Sequence, residues 1–394
     1  MDGKKIINYM KKFKYKRKFI TFGAPNIEKE EIISVKKVME SGWLGTGAQV
    51  IRFENSFGRY KKSRNTVAVG SATAALHLSL LNCNLGPKDE VITTAMTFCS
   101  TVNAIIHSGA KPVLVDIDYQ TGNIDVKAIK NAVNKNTKAI VPVHYAGRPC
   151  NMTEIMEIAK NNKLLVIEDC AHAVETLYKK NPTGTIGDYG CFSFYATKNL
   201  AIGEGGMIIT KNKNHCKRLK VLSLHGMNND AWKRYSKNGY NHYKVVEAGF
   251  KYNMTDMQAV IGIEQLKKIS KNWKKRKFIW DTYYDELSKT NLSLTHKESS
   301  GNKMAYHLFP ILLNKKIKIS RDKLLIKLNK AGIGCGVHYE SIPQHPFYKK
   351  KFGWLNSNTP LAYEFGKSQI SLPITPLISQ NDLDYIVNTV KKYI

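Results

Sequence analysis

The chain has 394 residues, of which 43% are hydrophobic and 23% charged, a balance typical of a soluble globular protein large enough for two lobes. No apolar run reaches the roughly 18 residues that a membrane span needs, and the start lacks the apolar stretch of a secretory signal, so we expect a cytoplasmic protein without an integral membrane segment. The seven cysteines are odd in number and form no CxxC pair, so we expect neither a disulfide framework nor a metal site.

The net charge of the chain is +30, from 61 Lys and Arg against 31 Asp and Glu. Such an excess can indicate a nucleic-acid, membrane-surface or anionic small-molecule partner. The lysines are spread over the whole chain without a recognition helix, zinc finger or aromatic RNA-binding signature. We therefore predict no nucleic-acid partner and interpret the charge as a lysine bias that would also attract phosphate-bearing substrates. Residues 1–20 are predicted to be a basic arm, since the first 18 hold eight Lys or Arg against one Asp.

From about residue 26 the chain alternates between helical and β-rich patterns. The apolar spacing of NIEKEEIISVKKVMES predicts a helix, and NTVAVGSATAALHLSLLNC predicts a strand, a tight turn and a helix. Short β-rich runs follow, separated in places by helical stretches such as NMTEIMEIAKNN: DEVITT, KPVLVDID, KAIVPVHY, KLLVIED, DYGCFSFY and GMIIT. This alternation predicts an α/β domain over residues 21–270 with a mainly parallel sheet.

A long helical pattern runs from about residue 254 to 288. Three later segments mix helical and β-rich patterns: AYHLFPILL, KLLIKLNKAGIGCGVHY and DLDYIVNTVKKYI. They predict a smaller α+β domain over residues 271–394. The boundary near residue 270 falls inside the long helical pattern.

Small residues occupy the turn between the strand and the helix of NTVAVGSATAALHLSLLNC. Gly70, Ser71, Ala72 and Thr73 would leave the N–H groups of the helix start free and accessible, as in an anion site suited to phosphate. Many strand-to-helix turns look like this, so the turn alone leaves an ordinary helix start as an alternative.

Two titratable residues follow strand patterns further along the chain. Asp169 ends the buried run LLVIED, where ligands bind in open α/β sheets; a helix N-cap is the alternative role. Lys198 lies 29 residues later, just before GEGG. Pyridoxal phosphate needs a lysine amine for its aldehyde, an acid for its pyridine nitrogen and a small-residue turn for its phosphate. Each signal is ambiguous alone, whereas their order, each at a strand end, is much more specific.

These segments resemble the DegT–StrS group of sugar-nucleotide aminotransferases, over nearly the whole chain after residue 20. The resemblance implies the three-layer aspartate aminotransferase fold (type I), with a small C-terminal domain, and pyridoxal 5′-phosphate as cofactor. The resembling segments are SGWLGTG (41–47), GSATAALHL (70–78), AMTFCSTVNAI (95–105), KPVLVDID (112–119), VPVHYAG (141–147), VIEDCAHA (166–173), GCFSFYATKNLAIGEGGMI (190–208), GFKYNMTDMQAVIGIEQL (249–266) and GVHY (336–339).

The resemblance implies three catalytic residues, with Lys198 bonded to the cofactor and Asp169 paired with the pyridinium nitrogen. His172 would approach the cofactor ring or its 3′ oxygen, although a lone histidine is more often structural. Phe98 would stack on the ring, with a core phenylalanine as the alternative. The remaining cofactor contacts would go to the phosphate: Ser71, Ala72, Thr73 and Ser193.

In this family two subunits build each active site, so the resemblance implies a homodimer. Lys251 or Asn253 of the GFKYN segment (249–253) would reach the cofactor phosphate of the partner chain. Many family members have Asn and Arg at these two positions, and Ala72 replaces a common glycine. Candidate substrate contacts are His338 and Tyr339 of GVHY and, in the loop 228–244, Trp232 and Arg234, which could equally be solvated loop residues.

The activity implied is transfer of an amino group from glutamate to a nucleotide-linked keto sugar, with ping-pong kinetics because donor and acceptor share one site. The segments HYAG (144–147) and GFKYN resemble members that act at C4 of 4-keto sugars, and amination at C3 is the alternative. Lys198 argues against the family's dehydratases, which have histidine there. A non-catalytic, cofactor-binding or basic regulatory protein remains an alternative of another class. An amino-acid aminotransferase typically binds the carboxylate of its substrate with a well-placed arginine. This activity is disfavoured because Arg321 is the only arginine after Arg276.

Overall fold

A computed structural model of the chain describes residues 19–228 and 242–394. Positions 1–18 of the predicted basic arm lie outside the described residues, and so do the candidate substrate contacts Trp232 and Arg234. None of the helices in the described ranges has the length and apolar character needed to cross a membrane.

Helices and strands alternate through most of the described chain. The helices are α1 (Lys29–Glu40), α2 (Ala48–Lys61), α3 (Ala72–Leu81), α4 (Cys99–His107), α5 (Val126–Ala132), α6 (Met152–Asn162), α7 (Lys213–Ser223), α8 (Asp256–Leu287), α9 (Arg321–Lys330), α10 (Pro346–Phe352), α11 (Pro360–Ser368) and α12 (Gln380–Tyr393). The strands are β1 (Thr66–Val69), β2 (Glu90–Thr94), β3 (Lys111–Val115), β4 (Thr137–Val141), β5 (Leu165–Asp169), β6 (Leu177–Tyr178), β7 (Asn181–Pro182), β8 (Tyr189–Ser193), β9 (Gly206–Thr210), β10 (Ser293–Leu294), β11 (Phe309–Leu312) and β12 (Gln369–Leu372).

The largest sheet has the strand order β1-β9-β8-β5-β4-β2-β3. Strand β9 runs antiparallel to both of its neighbours, β1 and β8. From β8 to β3 every neighbouring pair is parallel. The predicted α/β fold with a mainly parallel sheet is therefore confirmed.

Apolar cores lie on both faces of this sheet. In β1, Val67 and Val69 belong to a core that includes α3, whereas Ala68 between them belongs to a core that includes Phe53 and Phe57 of α2. Successive strand side chains point to opposite faces, so this alternation shows helices covering both faces. The strands must be apolar on both faces to be buried in this way, and the result is the predicted three-layer arrangement.

The parallel strands share one carboxyl edge, where loops can bring polar groups together. Asp169 is the last residue of β5, and Ser193 is the last residue of the adjacent strand β8. The segment from Phe194 to Gly205, which contains Lys198, connects β8 to β9 above this edge. The sheet topology thus places Asp169 and Lys198 in the same region of the molecule.

Helix α8 closely matches the long helix predicted from the sequence. It begins with a capping box, in which Thr255 accepts from the Gln258 N–H and the Gln258 side chain accepts from the Thr255 N–H. Its first half packs in the core of the large sheet through Ala259 and Ile269. Its second half, which includes Trp280, packs in a separate core. One continuous helix therefore contributes to both cores, and the predicted boundary at residue 270 lies within it.

The second core belongs to a small lobe built on the antiparallel sheet β10-β11-β12. Leu324 of α9 and Ile386 of α12 are fully buried in it. Ile20 also packs in this core and exchanges backbone hydrogen bonds with Gly332 and Gly334. The first described residues thus pack with the small lobe rather than with the large sheet.

We expect Trp280→Ala to lower the free energy of unfolding by about 3–5 kcal/mol, because it would leave a cavity in the core of the small lobe. Trp280 is 2% exposed, and its ring lies 5.2–5.5 Å from the rings of Tyr284, Tyr306 and Phe309. Phe278 is on the same helix but 57% exposed, so Phe278→Ala should change stability by only about 0.5 kcal/mol. Denaturant unfolding of the two variants measures this difference, and equal losses would contradict the assignment of this core.

Candidate active site

Asp169 is a buried carboxylate at the end of β5 and is 4% exposed. Its Oδ2 accepts a hydrogen bond from Thr101 Oγ1 at 2.9 Å, and its Oδ1 accepts from the Ala171 N–H at 3.1 Å. Burial raises the pKa of Asp169, while these hydrogen bonds and the charge of Lys198 act in the opposite direction. The carboxylate is therefore oriented by two donors, and a cationic partner would stabilise its charge further.

Lys198 lies in the connection between β8 and β9, and its backbone N–H donates to the Tyr195 carbonyl oxygen at 2.8 Å. Its side chain is only partly exposed. Burial lowers the pKa of Lys198 to about 8, and Asp169 opposes this shift. The amine thus loses its proton more readily than a surface lysine, as a nucleophile or a proton carrier requires.

His172 follows Asp169 by three residues and is 5% exposed. Its Nε2 is 2.9 Å from the hydroxyl of Tyr339, and its Nδ1 is buried without a hydrogen-bond partner among the described residues. Its pKa is held well below the ordinary histidine value, by burial first and then by the charge of Lys198. A buried, unpartnered ring nitrogen is costly, and a bound polar group would satisfy it.

The GVHY segment brings His338 and Tyr339 of the small lobe to the same place. His338 Nδ1 lies 3.0 Å from Ser371 Oγ, and its ring stacks on Phe22 at 5.0 Å. Burial, followed by the charge of Lys198, lowers the pKa of His338 to about 3. Burial also raises the pKa of Tyr339, so its hydroxyl keeps its proton.

Phe98 has the exposed apolar face expected of a residue that stacks on a ligand. It is 56% exposed, immediately before α4, and its ring lies 5.8 Å from that of Tyr339. An exposed phenylalanine beside buried polar residues gains by stacking on a planar ring. The alternative of a core phenylalanine does not agree with this exposure.

The predicted phosphate turn forms the N-terminus of α3. Ser71 is the N-cap, and its Oγ accepts from the Ala74 N–H at 3.1 Å, so this hydroxyl already has a structural role. Ala72 and Thr73 begin the helix, where N–H groups have no partner within the helix. Gly206 of β9 packs against the backbone of this turn, because a Cβ there would lie only 2.5 Å from the Ser71 carbonyl oxygen.

Two predicted contacts, Lys251 and Asn253, lie in a segment that pairs with the strand end before the predicted phosphate turn, where Asn253 forms a β-bridge with Val69. They line a groove of about 500 Å³ together with residues 42–47, and Lys198 and Asp169 are not among its described lining residues. Asn253 Nδ2 donates to Thr46 Oγ1 at 2.6 Å, while its Oδ1 is buried without a partner among the described residues. Within one chain these two residues therefore line a groove whose described lining does not include Lys198.

Three features near the site were not predicted from the sequence: His307, Asn199 and the ion pair between Glu175 and Arg276. The ring of His307 is 4.4 Å from that of His172, and its Nδ1 is 3.0 Å from Asn199 Oδ1. Burial and the charge of Lys198 hold the pKa of His307 well below its ordinary value. In the sequence His307 occurs within the strand pattern AYHLFPILL, which gives no sign of a polar site. Only its packing against His172 reveals its position.

A second buried polar cluster lies directly beneath Asp169. His144 Nε2 is 3.0 Å from a Glu168 carboxylate oxygen. Potential metal-binding atoms of His144, Glu168 and Cys170 all lie within 4.8 Å of one another. The Glu168 carboxylate also accepts three backbone N–H groups, and His144 Nδ1 accepts from the Cys150 N–H. Because these atoms already have partners, we interpret the cluster as structural.

The fold and the site together define a class of protein. A buried carboxylate at a strand end, a lysine with a lowered pKa nearby, an exposed aromatic face and a helix N-terminus are the groups that a type I pyridoxal-phosphate enzyme needs. The DegT/DnrJ/EryC1/StrS aminotransferase family matches residues 25–391, and the chain belongs to that family. It is a pyridoxal-phosphate-dependent sugar aminotransferase.

Similar proteins agree with this assignment. The spore coat polysaccharide biosynthesis protein SpsC of Bacillus subtilis is 43% identical over 95% of this chain and 96% of its own. Spr1654 of Streptococcus pneumoniae, assigned as a sugar aminotransferase and solved in pyridoxal and pyridoxamine phosphate forms, is 32% identical, with a TM-score of 0.88 over 95% of this chain and 97% of that one. Helicobacter pylori PseC, an aminotransferase involved in pseudoaminic acid biosynthesis, is 28% identical, with a TM-score of 0.89 over 96% and 99%.

We expect the labelling rate of Lys198 by an amine-specific reagent, in the cofactor-free protein, to rise through a midpoint at about pH 8, its lowered pKa. A lysine model peptide should show a midpoint near its ordinary pKa of about 10.4. Asp169→Asn should lower the midpoint for Lys198 further, because the Asp169 charge favours the ammonium form. Peptide mass spectrometry across a pH series measures both midpoints. A midpoint for Lys198 equal to that of the peptide would contradict the proposed environment.

Proposed function

We propose that this sugar aminotransferase moves the amino group of glutamate to C4 of a nucleotide-linked 4-keto sugar. C4 is supported by the HYAG segment (144–147), because its sequence resembles that of family members that act at this carbon and because it lies next to the site. Tyr145 of this segment donates from its hydroxyl to the His338 carbonyl oxygen at 2.5 Å, and the Ala146 carbonyl oxygen accepts from the His307 N–H at 3.2 Å. HYAG thus packs directly behind two histidines of the site and can influence the shape of the substrate pocket.

The geometry of the site supports the proposed cofactor contacts. When bound, pyridoxal phosphate supplies the aldehyde and the electron-withdrawing ring that an amino transfer requires. The Asp169 carboxylate would pair with the ring nitrogen, Phe98 would stack on the ring, and the start of α3 with Ser193 would bind the phosphate. With the Tyr339 hydroxyl as donor to His172 Nε2, the proton of this neutral ring would be on Nδ1, from which a cofactor oxygen would accept a hydrogen bond.

Lys198 is proposed to do the acid and base chemistry. Its free amine would hold the cofactor through the aldehyde, with loss of water, and when released the same amine would carry the proton that an amino transfer moves from one carbon to another. A pKa of about 8 leaves part of the amine unprotonated near neutral pH. His172, His307 and His338 have lowered pKa values, so they stay neutral beside it.

A nucleotide-linked substrate is supported by charge. The chain carries +30, and a diphosphate group would be attracted by this excess. The alternative of amination at C3 of a 3-keto sugar uses the same cofactor and the same lysine. Only the placement of the sugar differs, so an assay with both 4-keto and 3-keto sugars distinguishes the two alternatives.

Incubation with keto sugars tests the reaction directly. We expect the yellow, cofactor-loaded protein to bleach with glutamate and to regain its colour with one 4-keto sugar from a panel of UDP- and dTDP-linked 4-keto and 3-keto sugars. Recovery with a 3-keto sugar alone would replace C4 by C3. A protein that takes up no cofactor, or ignores glutamate once loaded, would favour the regulatory alternative, for which salt-dependent DNA binding is then the measurement.

We expect Lys198→Ala to lower the rate of amino transfer by at least about 100-fold, because the variant has no amine to carry the proton. Lys349→Ala is a suitable control, since Lys349 is an exposed lysine on α10. The rate of sugar amination with saturating glutamate measures the effect. A variant within a few-fold of wild type would show that Lys198 is not the working amine.

A homodimer with shared sites is also proposed, with Lys251 and Asn253 of one copy reaching the cofactor phosphate of the other. Exposed apolar residues line the groove next to Asn253, and burial against a second copy would stabilise them: Trp43, Leu44 and Ile51. A Lys198→Ala chain and a Lys251→Ala/Asn253→Ala chain should each be nearly inactive.

When the two inactive chains are mixed under conditions that exchange subunits, we expect about one quarter of wild-type activity, because half of random dimers are mixed and each has one intact site. Activity after subunit exchange measures this recovery. The same chains mixed without exchange serve as the control, and no gain after exchange would contradict shared sites.

A further inference from the structure

Asn199, the residue after Lys198, lies in a chain of hydrogen-bonded polar groups. Its Nδ2 is 3.0 Å from Glu175 Oε2 and 2.9 Å from the Ala305 carbonyl oxygen, and its Oδ1 is 3.0 Å from His307 Nδ1. Glu175 in turn forms a buried ion pair with Arg276. The order of the chain is therefore Arg276, Glu175, Asn199 and His307.

The donors and acceptors in this chain fit in one direction only. Arg276 can only donate, and the ionised Glu175 can only accept. The Asn199 Nδ2 faces two acceptors, the Glu175 carboxylate and the Ala305 carbonyl, so its Oδ1 must face His307. His307 Nδ1 must then carry the proton donated to Oδ1. Flipping the amide would place an oxygen against two other oxygens.

This series of hydrogen bonds joins parts of the molecule that are far apart in sequence. Arg276 is on α8, Glu175 follows β5, and Ala305 and His307 precede β11 of the small lobe. Asn199 connects all three to the backbone beside Lys198. The ring of His307, fixed in this way, lies 4.4 Å from that of His172.

We infer that Asn199 is a positioning residue for Lys198: by donating to Glu175 and Ala305 and accepting from His307, its amide fixes the turn that carries the amine and the proton position of His307. The inference rests on the proposed function, in which Lys198 is the working amine. A structural role alone would require the amide to hold the loop, but not to affect the environment of the amine.

Other titratable groups surround this series of hydrogen-bonded residues, and their charges affect how its hydrogen bonds depend on pH. Those whose charges act on Glu175 or Arg276 are Tyr60, Lys61 and Lys303, and those around His307 are Lys198, His172 and His338. Burial lowers the pKa of Lys61 and of Lys303, and the nearby charge of Glu175 opposes both shifts. A second carboxylate placed against Glu175 would share a proton with it, since two carboxylates that share one site cannot both ionise readily.

Asn199→Asp tests the donor role of the amide. A carboxyl has at most one hydrogen where the amide has two, so the variant loses the bond to the Ala305 carbonyl and can keep the bond to Glu175 only with a proton between the two carboxyl groups. An unfolded aspartate loses its proton near pH 3.9, so the folded state would bind one proton more. The unfolding equilibrium constant should therefore rise by about tenfold per pH unit, relative to wild type, until the folded carboxyl loses its proton. Thermal unfolding of the cofactor-free protein from about pH 5 to pH 9 measures this loss.

The labelling rate of Lys198 distinguishes a positioning role of Asn199 from a purely structural one, because a purely structural role would leave this rate unchanged. At low pH the labelling profile of Lys198 in the variant should be closest to wild type, and at high pH it should diverge further as the bond to Glu175 is lost and the turn is released. Amino transfer by the loaded variant should fall over the same range by about tenfold to a hundredfold. Differences from wild type that are the same at every pH would overturn the inference.

Two further variants make the test specific. Adding Glu175→Gln to Asn199→Asp restores both the wild-type charge and a donor between the two side chains, so most of the pH dependence should disappear; if it persists unchanged, the inference fails. Asn134→Asp is the matched control, because Asn134 Nδ2 donates to Glu90 at 2.8 Å and its Oδ1 accepts from the Asn136 N–H at 2.8 Å on an exposed loop. The labelling of Lys198 should not change in this control. Labelling is read without cofactor, so a failure of the proposed function leaves this result interpretable.

Discussion

A buried negative charge at the end of a central strand is the constraint on which the site depends. Asp169 is 4% exposed, and a carboxylate in such a place is costly unless donors and a cation stabilise it. Thr101 and Ala171 supply hydrogen bonds, and Lys198 supplies positive charge. A heterocycle with a protonated nitrogen satisfies the same need. The electrostatics of the chain thus favour the cofactor that the family uses.

The same burial limits how much positive charge the site can hold. Lys198, His172, His307 and His338 lie together, and burial lowers the pKa of all four. The charge of Lys198 lowers the pKa of each histidine further, so the histidines stay neutral. The lysine alone then changes its protonation state near neutral pH. The other polar groups can then orient, and a single titrating amine suits the proposed proton shift from one carbon to another.

The site is complete only because the two lobes pack against each other. Asp169 and Lys198 belong to the large sheet, whereas His307, His338 and Tyr339 belong to segments that precede or follow strands of the small lobe. Helix α8 contributes side chains to both cores, and its Arg276 reaches Glu175 beside the lysine. A change in lobe packing would therefore move His307, His338 and Tyr339 relative to Asp169 and Lys198.

The sequence by itself determined the alternation of helices and strands, the long helix, the position of Asp169 at a strand end, and that of Lys198 between two strand patterns, although not at a strand end itself. These features depend on local apolar periodicity and on the rule that parallel strands share a carboxyl edge. Only the tertiary structure showed that Ser71 caps a helix and that Asn199 joins His307 to Glu175 and Arg276. Asn199 and His307 are 108 residues apart. No local pattern records a contact between such distant residues, because packing between lobes decides which polar groups meet.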